Sequence, residues 1–263
     1  MIQKIYEMAK RNKARIALGA GTEKKGYFER AEEKAISAIE KGYADVVLVS
    51  QKKSRLVETI VSDDPCLTLI ELLMKGDVEG AVRGSLPASD TLSFLKKYYP
   101  KILRMALLGT PKDRYFFLAP VGIDEGRTPL EKLEFVEFGA EIAKKIDIKP
   151  RVGIISGGRK QDLGRDERVD KTLMEGEYLA SILKEKVDCK HYEILIEDAV
   201  KEANIIIVPD GITGNLIFRT LVLLGGGKGF GAPVVNIDRV FVDTSRVSPN
   251  YENAVALASA LKN

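Results

Sequence analysis

The 263-residue sequence has no tryptophan, one histidine (His191) and two cysteines (Cys66 and Cys189). Two cysteines in no metal-ligand spacing and a single imidazole speak strongly against a zinc site and against a catalytic triad built on histidine. So few cysteines, with no apolar leader, suit a cytosolic chain rather than a secreted disulfide scaffold. The opening stretch, MIQKIYEMAKRNKAR, reads instead as a short amphipathic helix. No run approaches the roughly 18 consecutive apolar residues that a membrane-crossing helix needs. A charge excess is missing too: 41 Lys and Arg stand against 38 Asp and Glu, interspersed, for a net charge of +3. That balance provides no electrostatic footprint for nucleic acid. Richness in Lys and Glu without tryptophan is a weak signature of a thermophile.

What is present is regular. RIALGAG (15–21), DVVLVS (45–50), GAVRGS (80–85), RVGIISGG (151–158), KHYEIL (190–195), NIIIVPDG (204–211), APVVNI (232–237) and RVFVDTS (239–245) read as short, mostly apolar strands. RMALLG (104–109) and YFFLAPVGI (115–123) follow each other closely enough to pair antiparallel. Helical patterns alternate with these strands: 27–42 with a glycine stop, a helix capped by Ser89 or Asp90, 129–146 with Pro129 in its first turn, 166–186, 213–226, and a closing helix from Ser248. Strands alternating with helices predict an α/β protein with largely parallel sheets. The length suits one large or two smaller domains. The polar, glycine- and proline-bearing segment GIDEGRTP (122–129) is the best candidate for a domain boundary.

Ligands of open parallel sheets sit beyond the carboxyl ends of the strands. Five such ends carry small or polar residues: GAGTEKK (19–25), RGS (83–85), SGGRK (156–160), PDGITGN (209–215) and DTSR (243–246). Backbone amides at helix starts favour an anion, and Arg or Lys adds charge-assisted hydrogen bonds to phosphate. Plain turn chemistry explains a glycine after a strand equally well. GGGKGFG (225–231) is not a phosphate loop of the Walker type, because no Ser or Thr follows its Lys, and it reads as a helix stop. GAG (19–21) lacks the third glycine of a dinucleotide fingerprint.

The segments GDVEGAVRGSLPASDTL, APVGIDEGRTP, VGIISGG with RVDKTLMEG, VPDGITGN, and VDTSRVSPNYENAVALA occur in this order over nearly the whole chain. In this order they resemble the phosphate acetyl/butyryltransferase family. The wording of PDGITGN and DTSR is similar to the methanogen branch known as methanogenesis marker protein 4, or methyltransferase-related protein MtxX. The resemblance implies a phosphotransacetylase- and isopropylmalate-dehydrogenase-like fold: two α/β domains with mainly parallel sheets and an active-site cleft between them. The first domain would comprise 1–126 plus 233–263, and the second 127–232.

The same resemblance implies site residues. Ser245 and Arg246 match the pair that holds and polarises an acyl carbonyl. Glu252, seven residues after the serine, matches the position of a carboxylate base on a thiol, whose pKa a closed cleft would raise. Arg83, Gly84, Ser85, Ser156, Gly157, Arg159, Asp210, Gly214 and Asn215 would line the substrate site, with no metal. Arg83 replaces a small residue of the acyltransferases, and Asp243 and Asp238 add negative charge near Ser245. Arg83, Arg159 and Lys160 together suit a substrate more highly charged than acetyl phosphate. The expected function is therefore a transferase acting on a small anionic acyl, phosphoryl or coenzyme A-type metabolite, with coenzyme A or phosphate as substrate rather than resident cofactor. The alternative is a methyltransferase, or an accessory subunit partnered with a methyltransferase or corrinoid protein and lacking acyltransferase activity. No S-adenosylmethionine fingerprint is recognisable, and the lone histidine offers no cobalamin motif. A related dehydrogenase activity is disfavoured by the single histidine and the missing acidic cluster. The chain is expected to be a cytoplasmic homodimer.

Overall fold

A computed structural model describes residues 1–248 and 250–262. The strands are β1 (Arg15–Gly19), β2 (Asp45–Ser50), β3 (Thr59–Val61), β4 (Gly80–Val82), β5 (Ala106–Gly109), β6 (Tyr115–Ala119), β7 (Arg151–Ile154), β8 (Asp188–His191), β9 (Ile205–Ile207), β10 (Lys228–Gly229), β11 (Ala232–Pro233) and β12 (Val240–Asp243). The helices are α1 (Ile2–Asn12), α2 (Tyr27–Glu40), α3 (Pro65–Lys75), α4 (Ala88–Lys96), α5 (Pro129–Lys145), α6 (Glu167–Leu183), α7 (Ile196–Glu202), α8 (Gly211–Arg219) and α9 (Glu252–Ala260). A turn of π-helix, Thr220–Leu224, continues α8. Among the described residues, no helix is long and apolar enough to cross a membrane.

The chain divides into two compact units, Met1–Ile102 with Gly229–Asn263, and Leu103–Lys228. The first unit holds a six-stranded sheet in the order β11-β12-β4-β1-β2-β3. β12, β4, β1, β2 and β3 run parallel, and β11 pairs antiparallel with β12. Its inner strands β1, β2, β4 and β12 are buried along nearly their whole length, as parallel strands covered on both faces must be. α3 covers one side of this sheet, packing Leu69, Ile70 and Leu73 into a core with Val47, Val49, Ala81 and Phe241. The second unit holds the order β10-β5-β6-β9-β7-β8. β6, β9, β7 and β8 are parallel, and β5 pairs antiparallel with β6, as the close spacing of the two runs predicts.

The boundaries differ from those drawn on the sequence. Residues 103–126 belong to the second unit, because β6 pairs with β9 through Phe117↔Ile205, Leu118↔Ile206 and Ala119↔Ile207. Segment 122–129 is no linker: Gly211 donates to the Glu125 carbonyl at 3.1 Å, fastening that loop to the start of α8. At the other crossing, Gly229 to Ala232 join the first unit, so the chain returns at 229, four residues before the expected 233. Local differences follow from capping and length. α4 starts at Ala88 behind Pro87 with no side-chain cap, so neither Ser89 nor Asp90 is the N-cap. The eighth strand lies at Asp188–His191, ahead of most of KHYEIL, and α7 begins directly afterwards. α3, with Asp64 accepting from Leu67 N–H and Pro65 in the first turn, has clear start signals that the strand-by-strand pattern passed over.

Candidate functional site

In the first unit the carboxyl ends of β4 and β12 lie side by side. Thr244 Oγ1 donates to the Gly84 carbonyl at 2.8 Å. Gly84 has a left-handed φ of 62°, and a Cβ there would collide with the Gly19 carbonyl oxygen. Only glycine suits that position. Ser85 is fully buried, and its hydroxyl accepts the Gly21 N–H at 2.8 Å. Arg83 is buried as well. Its Nε donates to Asp243 Oδ1 at 2.5 Å and its Nη1 to the Leu86 carbonyl at 2.5 Å. From its place in the sequence Arg83 is expected to line the substrate site as an extra positive charge. The structure turns it inward and neutralises it on Asp243, since a guanidinium in the interior requires a partner.

Beyond β12 the chain turns sharply. Ser248 N–H donates to the Ser245 carbonyl at 2.9 Å, and Tyr251 Oη donates to the Arg246 carbonyl at 2.8 Å. Burial pushes the Tyr251 phenol up to about 12, so it stays a donor at any ordinary pH. Ser245 is half-buried and Arg246 is exposed. The Arg246 guanidinium makes no ion pair with a described residue, whereas Arg83, Arg104 and Arg15 all do. Nearby, Asn250 Oδ1 is a buried acceptor without a hydrogen-bond partner among the described residues.

Glu252 opens α9 and is buried. Both of its oxygens are engaged: Oε1 by Lys41 Nζ at 2.6 Å and Oε2 by the Ser37 hydroxyl at 2.5 Å, both from the α2 side. The Glu252 hydrogen bond in turn raises the Lys41 ammonium above its ordinary range. A carboxylate held at both oxygens can take a substrate proton only by surrendering one of these contacts. The geometry therefore fits a tie between helices better than the free base expected from the sequence.

In the second unit the loop after β7 is satisfied internally. Ser156 N–H donates to the Glu193 carbonyl at 2.7 Å, and Gly157 N–H donates to Thr172 Oγ1 at 2.8 Å. These two amides are therefore not open to an anion, contrary to the cradle expected from SGG. Arg159 and Lys160 are exposed. Lys160 pairs with Glu177 at 2.9 Å, while the Arg159 N–H donates to Asp162 Oδ2 at 2.9 Å.

The single histidine joins this loop to helix α6. Ser156 Oγ lies 2.9 Å from His191 Nε2, and His191 Nδ1 lies 2.9 Å from Glu177 Oε1. The imidazole ring seats against Gly176, where any Cβ would strike it. The hydrogen bond from Lys160, and then that of His191, hold the Glu177 carboxyl below its ordinary range. One histidine is thus enough for a Ser–His–Glu chain, which the sequence argument had all but excluded. Its order of burial is the reverse of a nucleophilic triad: Ser156 is 2% exposed, whereas the Glu177 side chain is 52% exposed. No spacing in the sequence links positions 156, 177 and 191, so only the fold reveals the chain.

PDGITGN forms the start of α8. Asp210 is its N-cap, accepting from Thr213 N–H at 2.8 Å. Gly214 packs against the Pro120 carbonyl and Gly211 against the Gly122 carbonyl, both too close for a side chain. Asn215 Nδ2 donates to the Val121 carbonyl at 3.2 Å. The motif clamps the 120–125 loop, leaving one side-chain oxygen each of Asp210 and Asn215 without a donor among the described residues.

The two-sheet arrangement is that of the phosphotransacylase fold. A branched-chain phosphotransacylase from Enterococcus faecalis superposes with a TM-score of 0.72, at 16% identity over 94% of this chain and 100% of that one. A phosphotransacetylase from Streptococcus pyogenes gives a TM-score of 0.66 at 17% identity, with both chains fully covered. No family model matches the chain. Sequence comparison is more specific. A protein of Methanosarcina mazei named "Putative methyltransferase mtx subunit X" is 48% identical over 269 residues, spanning 99% of this chain and 95% of that protein. An uncharacterized methyltransferase of Methanocaldococcus jannaschii is 40% identical over 213 residues, 77% of this chain and 87% of that protein. The chain belongs to the mtx subunit X family.

Proposed function

We propose that the chain is a transferase acting on an anionic acyl, phosphoryl or coenzyme A-type metabolite, with Arg246 as the anion-binding side chain and the Ser245 hydroxyl beside it. The observation that carries this reading is the state of Arg246. It is exposed, without an ion pair among the described residues, and displayed on a turn whose backbone is pinned by Tyr251 and Ser248. A free guanidinium on a fixed backbone can meet a phosphoryl or carbonyl oxygen with little reorganisation, which is how such groups stabilise developing negative charge. In thioester–phosphate exchange, a phosphate oxygen attacks the acyl carbon, the C–S bond breaks, and the thiolate leaves and takes a proton. Arg246 would face the oxyanion formed on the way.

The test is steady-state exchange between phosphate and a panel of thioesters, on wild type and Arg246→Ala. One charge-assisted contact to an oxyanion is worth ~3 kcal/mol, so the variant should lose about two decades in kcat/KM while melting as the wild type does. Equal activity in the variant would remove Arg246 from the reaction. A second reading has a specific support in the relatives' name: a methyltransferase, or the non-acylating subunit of a corrinoid-dependent methyl-transfer system. Absence of exchange with every thioester, together with co-elution with a corrinoid-bearing subunit, would establish that reading instead.

A further inference from the structure

No step of the proposed transfer uses the Ser156–His191–Glu177 chain. His191 ends β8, its side chain 4% exposed, between α6 and the loop that follows β7. Two donors meet on one carboxylate oxygen: His191 Nδ1 and Lys160 Nζ each lie 2.9 Å from Glu177 Oε1. On the other side of the ring, Ser156 Oγ lies 2.9 Å from Nε2 and 3.4 Å from the Gly158 carbonyl oxygen. Ser156 and Gly158 are buried, and the Ser156 and Gly157 amides are fixed on the Glu193 carbonyl and the Thr172 hydroxyl. The serine hydroxyl therefore has one hydrogen and two acceptors within reach, and the protonation of the ring decides between them.

We infer that this chain of side chains is a proton-operated switch: protonation of His191 reverses its hydrogen bond with Ser156 and loosens Lys160 from Glu177. An ionised Glu177 only accepts, so neutral His191 donates to it from Nδ1 and takes the Ser156 hydroxyl at Nε2. A proton on Nε2 turns that nitrogen into a donor. Ser156 Oγ must then accept, and its own hydrogen turns to the Gly158 carbonyl, drawing in the 156–158 turn. The imidazolium is also the second cation on Glu177 Oε1. It cannot reach water, whereas the Lys160 side chain is 63% exposed and regains its hydration at little cost, so Lys160 gives way. The other ionisable groups around the ring keep their charge between about pH 5.5 and 8, where a histidine titrates and carboxyls and lysines do not. On α6, Glu177 is held below its ordinary range by Lys160 and then His191, and Lys160 is raised by Glu177. After β8, the Glu193 carboxylate accepts the Lys160 N–H. On β8 itself, Cys189 is pushed up to about 12 by burial.

Nitrogen-15 NMR of the labelled full chain over this pH range tests the switch. The ring nitrogens of the lone histidine report its protonation directly. The Gly158 carbonyl shares a peptide group with the Arg159 nitrogen, so the Arg159 amide signal should move along the His191 titration curve with the same midpoint. Its own acceptor, Asp162, is held below the ordinary carboxyl range by that N–H and by Arg165, and stays ionised throughout. In Ser156→Ala the ring should still titrate while the Arg159 signal loses most of its movement, because the relay has lost its hydroxyl. Crystal structures at the two ends of the range should show Lys160 on Glu177 at high pH and turned into solvent at low pH. A ring that stays neutral down to pH 5.5 would overturn the switch. So would an Arg159 signal that is flat in the wild type, which needs no variant to observe, or one that follows His191 undiminished in Ser156→Ala. Lys160 paired alike at both ends would overturn its release.

Discussion

Arg83 shows how one side chain changes meaning once it is placed. Next to Gly84 and Ser85 in the sequence it resembles a phosphate ligand, but in the fold its Nε donates to Asp243 Oδ1 at 2.5 Å, with side-chain exposures of 5% and 12%. Breaking a buried pair by removing one partner leaves an uncompensated charge, which typically costs about 3–5 kcal/mol. Urea unfolding of Arg83→Met should show a loss of that order, and Arg83→Met with Asp243→Leu should recover much of it. A single variant as stable as wild type would contradict the pairing. His191 offers a second measurement, and as the lone histidine its ring signals need no assignment. Glu177 is held as a carboxylate and can only accept, so neutral His191 should carry its proton on Nδ1 and receive the Ser156 hydroxyl at Nε2. Nitrogen-15 NMR of the ring reads this tautomer directly. Glu177→Gln should weaken the preference, and a proton found on Nε2 in the wild type would refute the arrangement. The glycines and Ser85 were legible as strand-end residues. What could not be read was the direction of each side chain, because partners such as Asp243 for Arg83 and Ser37 for Glu252 lie 160 and 215 residues away.

The helices and strands themselves were the most legible level. Pro129 and the buried runs at 45–50 and 205–207 sit where capping and apolar patterning put them, whereas α8 starts two residues ahead of the expected 213, with Asp210 as its cap. Among the exceptions were β3, three residues and only half-buried, and α7, a single short helix, neither long enough to show periodicity, and also α3, whose cap and proline stand outside the strand pattern. Pairing between distant elements was beyond the pattern: the close spacing predicts β5 with β6, but that the pair extends the second sheet depends on register with β9. Between α2 and α9 the tie is Lys41–Glu252–Ser37. Glu252→Gln keeps a polar group toward Ser37 but loses the ion pair, so stability should fall by about 1–2 kcal/mol. Lys41→Met should produce a similar loss, and the double variant little more, because both remove one interaction. In any exchange assay the variant's pH–rate profile should keep the wild-type shape. A limb that disappears in Glu252→Gln would restore the general-base role.

At the scale of the whole molecule, stability against pH sums over every carboxyl that folding perturbs. Most perturbed carboxyls are held low by a cation or a hydrogen bond, Glu79 by Lys262 and Glu177 by Lys160 among them. These groups contribute stability that is present above the ordinary carboxyl range and lost as pH falls through their lowered folded values. Glu125 opposes them. Burial raises its pKa, with Arg104 countering only in part through contacts of 2.7 Å from Nε and 2.9 Å from the backbone N–H. Between its ordinary value and its raised folded value, the folded chain holds the Glu125 proton while the unfolded chain has released it. The unfolded state then binds fewer protons, so this group makes stability fall as pH rises through that window. Glu125→Gln should remove the opposing term. Urea unfolding of wild type and variant from pH 4 to 7 should show the variant offset downward, having lost the carboxylate that faces Arg104. Its stability should also climb more steeply with pH just above the carboxyl range, by at most ~1.4 kcal/mol per pH unit for one proton. The slope is independent of the offset, so it isolates the titration from the lost contact. Parallel curves would mean that Glu125 is ionised alike in both states, with Arg104 fully compensating its burial.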